Sequence, residues 1–184
     1  QFATAFTDIS ERKSHEENLS YQSTHDSLTG LPNRYWFEQS LLERLEGATN
    51  RAVDQFVLLF LDLDKFKQVN DTLGHKVGDL LLIEVADRLQ SCLRLEDELA
   101  RMGGDEFIVV LPGCGRGPHA ERVALRIIDA VSRPFEIEGH RFTIGASIGL
   151  AICPADGTDT VTLLRRADAA MYRAKDAGRG TFRW

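Results

Sequence analysis

Two groups of acidic residues in this chain have the type and spacing of cation ligands. The first follows a glycine pair, in the run Gly103-Gly104-Asp105-Glu106, which lies between the apolar segments 99–102 and 107–111. Two glycines between strand-like segments predict a tight hairpin turn, with both carboxylates opening the returning strand. Like charges about 4 Å apart repel by about 4 kcal/mol at an effective dielectric constant near 20, and a divalent cation would offset that repulsion. Taken alone, the pattern also fits a solvated hairpin tip with two surface acids.

The second acidic group, Asp62 and Asp64, ends the most hydrophobic stretch of the chain, residues 56–61. A continuous apolar run of this kind predicts a central strand buried on both faces, and the period of two places both aspartates on one side. If this strand pairs with the hairpin, Asp62 can approach Asp105. Hard oxygen ligands of this kind favour Mg²⁺ or Mn²⁺ and phosphate chemistry. By itself, Asp62 also fits an ordinary acid at a strand end.

Composition limits the classes of protein to consider. The 184 residues suffice for one domain with a core of ordinary size, and the net charge of −6 does not indicate a general nucleic-acid binder. The cysteines at 92, 114 and 153 lack metal-site or redox spacing, which predicts reduced thiols in an intracellular protein. We find no signal peptide and no apolar stretch of about 18 residues, so we expect a cytoplasmic domain. Because the chain begins at Gln1 rather than Met, we expect a fragment of a longer protein, which could be membrane-attached elsewhere.

Hydrophobic periodicity predicts an alternation of strands and helices. We predict helices over residues 33–46, 78–93, 119–132 and 160–176, a strand over 55–62, a hairpin over 98–111, a smaller hairpin over 135–144, and strands over 145–152 and 181–184. The inner face of the first helix is predicted to carry Tyr35, Trp36, Leu41, Leu42 and Leu45. A loop is predicted before residue 78, and a polar linker helix before about residue 21. The order is that of an α+β, ferredoxin-like β-α-β-β-α-β fold with an extra hairpin.

The acidic hairpin carries a family resemblance. Residues 103–107 read GGDEF, the signature of the GGDEF family, the diguanylate cyclases. Blocks that resemble the family's other motifs follow in order at residues 26–34, 62–67 with 70–71, 74–79, 94–97, and 169–175 with 178–179. The resemblance covers about residues 20–184 and implies a palm-like nucleotidyl cyclase domain over 23–184. Residues 1–22 resemble the end of a PAS-like sensory domain and its signalling helix. The chain departs from many relatives at Asp105, where they carry Glu, and at residues 180–181, where Asn-Arg is frequent.

The resemblance implies an activity and its catalytic residues. In this family two GTP molecules condense to cyclic di-GMP and release two pyrophosphates, at the interface of a homodimer in which each domain holds one GTP. Asp62, Asp105 and the backbone carbonyl of Leu63 are the implied ligands of Mg²⁺ or Mn²⁺, with two ions per GTP site. Glu106 is implied as the general base or as a further metal ligand, and Lys67 as a cation that meets phosphate charge in the transition state.

Substrate contacts are implied at two further places. Asn70, Asp79 and His75 are expected on the guanine side, because a carboxylate accepts hydrogen bonds from two guanine donors that adenine lacks. Lys175 and Arg179 are four residues apart, so we predict that they share a helix face and clamp the triphosphate. The alternatives are a helix N-cap at Asp79, a loop hydrogen bond at Asn70, a loop residue at His75 and a solvated basic face for the cation pair.

A motif at Arg94 and Asp97 resembles the family's product-inhibition site, which implies feedback inhibition by bound cyclic di-GMP. Arg126 is expected to complete this site, with Arg122 as the alternative. Without the resemblance, Arg94 and Asp97 fit an ordinary surface pair at a helix end. A sensory domain upstream and an EAL domain downstream are expected in the full-length protein.

Two other functions are compatible with the same residues. The main alternative is a non-catalytic module that binds GTP or cyclic di-GMP, which degenerate relatives become when they lose the signature acids. Asp62, Lys67, Asp105 and Glu106 are all retained here, which favours the enzyme. A cyclase acting on a single GTP is the weaker third possibility, and the motif at Arg94 argues against it.

Overall fold

A computed structural model describes residues 21–48 and 55–184 of the chain. The stub and most of the polar helix expected over residues 1–22 lie outside the described residues. No helix in the described ranges is long and apolar enough to cross a membrane.

The described residues form helices and strands in an alternating order. The helices are α1 (Arg34–Ala48), α2 (Phe66–Leu73), α3 (His75–Ser91), α4 (Pro118–Ser132) and α5 (Thr160–Asp176). The strands are β1 (Phe56–Asp64), β2 (Glu98–Gly103), β3 (Glu106–Pro112), β4 (Phe135–Ile137), β5 (His140–Phe142), β6 (Gly145–Cys153) and β7 (Phe182–Arg183).

The main sheet has the strand order β2-β3-β1-β6-β7, and β4 and β5 form a separate hairpin. Strand β1 lies in the centre and pairs antiparallel with both β3 and β6, while β7 runs parallel to β6. Without the extra hairpin and the flanking elements, β1, α3, β2, β3, α4 and β6 form the predicted β-α-β-β-α-β core. The α+β, palm-like fold class is therefore confirmed.

Strand β1 is buried on both faces, as its continuous apolar sequence predicts. Val57, Leu59 and Leu61 belong to the core that contains residues of α3 and α4. Phe56, Leu58 and Phe60 belong to a second core, which contains residues of α1 and α5. By the same alternation, Asp62 lies on the face of the sheet that α5 covers.

The predicted loop before residue 78 is wrong. Residues Phe66–Leu73 form helix α2, and α3 begins at His75, with Gly74 as its N-cap. Asp79 is therefore inside the helix, and the alternative reading of Asp79 as an N-cap is also wrong. Helix α2 has eight residues and buries only Phe66 and Val69. Two apolar positions are too few to show a helical period in the sequence, so the helix could not be predicted from its pattern.

The predicted inner face of α1 is partly wrong. Leu41 and Leu45 are buried as expected, but Tyr35 and Leu42 are 59% and 45% exposed. Phe37, which the prediction omitted, is buried. The buried positions 37, 41 and 45 follow a spacing of four, and the predicted Trp36 is partly buried against the same core.

Candidate active site

The turn between β2 and β3 places the signature acids in different backbone environments. Gly103 pairs with Glu106, so Gly104 and Asp105 form the two-residue turn and only Glu106 opens β3. The expectation that both carboxylates open the strand is therefore wrong for Asp105. Gly104 has a φ of 52°, a conformation that glycine adopts without steric cost.

Strand pairing brings the two acidic groups together. Asp62 lies opposite Glu106 in the β1–β3 register, and the backbone N–H of Leu63 donates to the carbonyl of Asp105 at 3.2 Å. Partial burial raises the pKa of Asp62; a hydrogen bond from Lys175 opposes this shift, and the nearby charge of Asp105 adds to it. The sequence-based expectation that Asp62 approaches Asp105 matches this geometry.

Glu106 belongs to the same group of interacting charges. Partial burial raises its pKa, and the charges of Asp62, Asp105 and Asp168 raise it further. Within residues 21–48 and 55–184, no three His, Cys, Asp or Glu side chains are grouped closely enough to hold a metal ion by themselves. Mg²⁺ in phosphate-transfer sites is commonly held by one or two carboxylates, and substrate phosphates supply further ligands. Asp62 and Asp105 fit that pattern.

A cavity of about 200 Å³ is lined by the side chains expected to contact metal and phosphate. It lies at the end of β1, between the acidic turn, the start of α2 and the end of α5. Its lining residues are Asp62, Leu63, Asp64, Lys65, Phe66, Lys67, Asp105, Lys175 and Arg179.

The two cations expected to clamp the triphosphate, Lys175 and Arg179, lie on different backbone elements beside this cavity. Lys175 is in the last turn of α5, but the helix ends at Asp176 and Arg179 lies beyond it, with a φ of 65°. The prediction that they share a helix face is therefore wrong. Nζ of Lys175 lies 2.7 Å from a carboxylate oxygen of Asp62, and Nε of Arg179 lies 3.9 Å from one of Asp64.

Asp64 has a different environment from Asp62. Its carboxylate is buried and accepts hydrogen bonds from the hydroxyl of Ser147 at 2.8 Å and from the backbone N–H of Gly180 at 3.1 Å. The contact with Ser147 ties β1 to β6, and the contact with Gly180 fixes the segment that follows α5. Asp64 therefore positions the loop that carries Arg179, and its oxygens are already used by protein donors.

The residues expected on the guanine side lie where α2 meets α3. The Oδ1 atom of Asn70 is buried and has no hydrogen-bond partner within the described part of the chain. It lies against Gly78, where an added Cβ would stand 1.8 Å from it. Asp79 is the next residue and is exposed, as is His75 at the start of α3. Asn70 is one turn of α2 from Lys67, so this helix connects the two halves of the candidate site.

The Arg94 motif lines a separate cavity of about 400 Å³. The backbone N–H of Arg94 donates to the Asp97 carboxylate at 2.9 Å, and its exposed guanidinium lies 3.7 Å from Glu96. Asp97 thus closes the turn through the backbone, and the side-chain pair of the alternative reading, Arg94 with Asp97, is not formed. Arg126 on α4 donates to the carbonyl of Cys92, the C-cap of α3, two residues before Arg94.

The model of the family described as "Diguanylate cyclase, GGDEF domain" matches residues 23–181. The chain belongs to the GGDEF family.

Curated relatives of this GGDEF domain are longer proteins. The bifunctional diguanylate cyclase/cyclic di-GMP phosphodiesterase MucR of Pseudomonas aeruginosa is 46% identical over 86% of this chain, which spans 23% of MucR. The diguanylate cyclase TpbB of the same organism is 42% identical over 90% of this chain, which spans 38% of TpbB. The chain thus covers well under half of either relative.

Solved structures agree with the GGDEF assignment. The crystal structure of the TpbB GGDEF domain has a TM-score of 0.80 at 40% identity, covering 84% of this chain and 96% of that one. The coiled coil and GGDEF domain of DgcB from Caulobacter crescentus, in complex with c-di-GMP, has a TM-score of 0.87 at 28% identity, covering 99% and 96% of the two chains.

The GGDEF turn is held by an arginine to which sequence reasoning assigned no role. Arg101 is 8% exposed and donates to the Asp26 carboxylate at 2.7 Å. Its Nε and Nη2 atoms also donate to the carbonyl of Gly104, at 3.1 and 2.8 Å. Burial alone would raise the pKa of Asp26, but hydrogen bonds from Thr29 and Arg101 lower it overall. The available signal was a lone cation within an apolar strand, two residues before the glycine pair.

Glu106, the first residue of β3, lines a different cavity of about 340 Å³ and does not line the cavity that Asp62 and Asp105 share. It lies between the start of α1 and the middle of α5, and its other lining residues are Arg34, Phe60, Met102, Leu164, Arg165 and Asp168. Sequence reasoning gave none of these residues a role near Glu106. Positions 34, 106 and 165 are far apart in the chain, and only the sheet order brings them together.

Proposed function

We propose that this domain is a diguanylate cyclase that joins two GTP molecules into cyclic di-GMP. In each half-reaction a ribose 3′-oxygen forms a bond to the α-phosphorus of the other GTP, and pyrophosphate leaves with the bonding electron pair. The observation that carries the proposal is the shared cavity in which Asp62 and Asp105 meet Lys67, Lys175 and Arg179. Acids that hold cations and cations that hold phosphate are what this transfer requires.

We assign Mg²⁺ or Mn²⁺, two ions per GTP, to Asp62, Asp105 and the backbone carbonyl of Leu63. When bound, these ions neutralise phosphate charge and lower the pKa of the attacking hydroxyl. Glu106 either accepts the proton of that hydroxyl or adds a ligand. Burial and the neighbouring acids raise its pKa, which makes Glu106 a stronger base than an ordinary glutamate. Lys67 lies at the start of α2, on the same cavity, where it would meet the leaving phosphates.

Lys175 is proposed to exchange partners when substrate binds. In the free domain its ammonium group neutralises Asp62 at 2.7 Å. GTP brings phosphate oxygens that can take over this ammonium group, which frees Asp62 for cation binding. Arg179 lies 3.9 Å from the already satisfied Asp64, so its guanidinium can turn to the triphosphate at little energetic cost.

Guanine is proposed to bind at Asn70 and Asp79, with His75 beside them. The unpartnered Oδ1 of Asn70 supports this, because a buried amide oxygen without a donor is unfavourable until a ligand supplies one. Asp79 can accept from both N1–H and the exocyclic amine of guanine. Adenine lacks that pair of donors and would leave the carboxylate unpaired.

Cyclic di-GMP is proposed to inhibit the enzyme by binding at Arg94 and Asp97, with Arg126 as the second cation. The exposed guanidinium of Arg94 can stack on guanine and donate to phosphate. Adding cyclic di-GMP should slow GTP consumption by the wild type and not by Arg94→Ala. Equal inhibition of both proteins would contradict the assignment.

A single assay distinguishes the candidate functions. The purified chain is incubated with GTP and Mg²⁺ or Mn²⁺, and the nucleotide products are identified by mass spectrometry, with Asp62→Asn as the control. We expect cyclic di-GMP with two pyrophosphates per molecule from the wild type and none from the variant. GTP binding without turnover would instead indicate a regulatory binding module, and cyclic GMP would indicate a cyclase acting on one nucleotide.

A further inference from the structure

A cavity of about 300 Å³ between α2 and the β4–β5 hairpin has no part in the functions proposed above. Thr143 and Ile144, in the segment after β5, also line it. Its lining residues are Lys65, Gln68, Val69, Thr72, Leu73, His140, Arg141, Phe142, Thr143 and Ile144.

The lining combines an apolar floor with a basic rim. Val69 and Ile144 are buried beneath the cavity, and Phe142 is partly buried beside them. Lys65 and Arg141 stand exposed at its edge. No lining residue is acidic, although the chain as a whole has a net charge of −6. This local reversal of charge favours an anion, and the floor favours an apolar body.

The basic rim is available to a ligand. Arg141 lies 3.9 Å from Glu136, but both side chains are more than 70% exposed, so the pairing is weak. Within residues 21–48 and 55–184, the Lys65 side chain has no hydrogen bond or ion pair. The acid in the β4–β5 turn, Glu138, pairs with Lys76 at 3.1 Å. An incoming anion would therefore displace little.

We propose that this cavity binds a small amphipathic organic anion, with a flat apolar body and one carboxylate, sulfonate or phosphate group. The apolar body lies on Val69 and Phe142, and the anionic group meets Arg141 and Lys65. Of the residues that line this cavity, only Lys65 also lines the cavity that holds Asp62 and Asp105.

The bound anion is coupled to the GTP site through Lys65 and α2, a part of the proposal that rests on the proposed function. Lys65 lines both cavities and is held in the left-handed conformation, with a φ of 67°, as the N-cap of α2. Helix α2 presents Val69 and Thr72 to the new cavity and carries Lys67 and Asn70 for the nucleotide. A ligand that shifts this short helix changes the affinity for GTP, and GTP must then change the affinity for the ligand by the same factor.

The test is a fluorescence titration of the chain with 8-anilino-1-naphthalenesulfonate, with the uncharged N-phenyl-1-naphthylamine as the matched probe. Thr72→Trp fills the cavity from an exposed position, and Arg141→Glu reverses the charge of the rim. Thr158→Trp and Arg166→Glu make the same changes at exposed positions elsewhere. Circular dichroism confirms that each variant is folded.

We expect Thr72→Trp to remove one sulfonate-probe site and Arg141→Glu to weaken binding there roughly fivefold, while both control variants bind as the wild type does. The neutral probe should bind more weakly than the sulfonate and should not respond to Arg141→Glu. Unchanged sulfonate binding in both cavity variants, or equal binding of the two probes, would overturn the site.

Coupling is tested by repeating the titration with an α,β-methylene GTP analogue and Mg²⁺. A change of at least about twofold in the affinity for the sulfonate supports coupling, and an unchanged affinity overturns it. Binding of the analogue is measured in the same samples. Its failure to bind would count against the proposed GTP site and not against the new cavity.

Discussion

Glu106 carries a negative charge in an unfavourable position. Its pKa is raised by partial burial and by Asp62 and Asp105, so the folded state binds a proton more tightly than the unfolded state does. Above the pKa of Glu106 in the folded state, the ionised carboxylate therefore destabilises the fold. Below pH 4.5, the ordinary pKa of a glutamate, Glu106 is protonated in both the folded and the unfolded state, and the effect disappears. We expect Glu106→Gln to raise the Tm at neutral pH in metal-free buffer, with a gain that shrinks as the pH falls toward 4.5.

Thermal unfolding across pH measures this effect, with the exposed Glu43→Gln as the matched control. The control should change the Tm little at any pH. A Glu106→Gln variant that is less stable than the wild type at neutral pH, or equally stabilised at every pH, would contradict the account of its charge.

Gly78 is required by the side chain of Asn70. A Cβ at position 78 would lie 1.8 Å from Oδ1 of Asn70, so Gly78→Ala must displace the amide. We expect a loss of about 1–3 kcal/mol in unfolding free energy and a lower preference for GTP over ATP. Adding Asn70→Ala should restore the stability, because the clash is gone, and should leave the preference for GTP low.

Urea unfolding and competition binding of GTP and ATP measure the two effects. Recovery of GTP preference in the double variant would contradict the role of Asn70.

At the scale of elements, Arg101 connects β2, the acidic turn and the segment before α1. Removing it leaves Asp26 without its cation and the Gly104 carbonyl without its donors. Breaking a buried pair from one side costs about 3–5 kcal/mol, so we expect Arg101→Ala to lose that much unfolding free energy in urea. Arg133→Ala breaks an exposed pair with Asp129 and should lose less than about 1 kcal/mol. Similar losses in the two variants would show that the Arg101 contacts are not structural.

Elements with strong local patterns could be predicted from the sequence, and those defined by distant contacts could not. The continuous apolar run predicted strand β1, and the predicted helix over 160–176 matches α5, which spans Thr160–Asp176. Helix α2 was missed because Phe66 and Val69 alone do not make a periodic pattern. The pair of Asp26 and Arg101 joins residues 75 positions apart, and no local signal marks both ends.

In the acidic site too, some features could be predicted from the sequence and others could not. The expectation that Asp62 approaches Asp105 depended on β1 pairing with the hairpin, and β1 does pair with β3. The backbone after α5 was not predictable in this way. Its left-handed residue at Arg179 and its contact with Asp64 removed the shared helix face that the spacing of Lys175 and Arg179 had indicated.

At the scale of the whole molecule, the proposed phosphate ligands among the described residues lie together in a cavity of about 200 Å³. The proposed reaction needs two GTP molecules face to face, so two copies of the domain must meet. We expect the specific activity to rise with protein concentration and to level off once dimers dominate, as measured by initial rates over a dilution series. Adding an excess of Asp62→Asn protein should lower the rate by forming mixed dimers. A specific activity that is constant down to concentrations at which sedimentation shows monomers would contradict the dimer.

The central claim is that acids from β1 and from the hairpin turn share divalent ions with a bound guanosine triphosphate. Its most direct test is anomalous diffraction from crystals grown with Mn²⁺ and the α,β-methylene GTP analogue. We predict metal peaks within about 2.3 Å of carboxylate oxygens of both Asp62 and Asp105, with Lys175 moved from Asp62 to the phosphates. Metal bound only to the nucleotide, with the ion pair of Lys175 and Asp62 intact, would contradict the account.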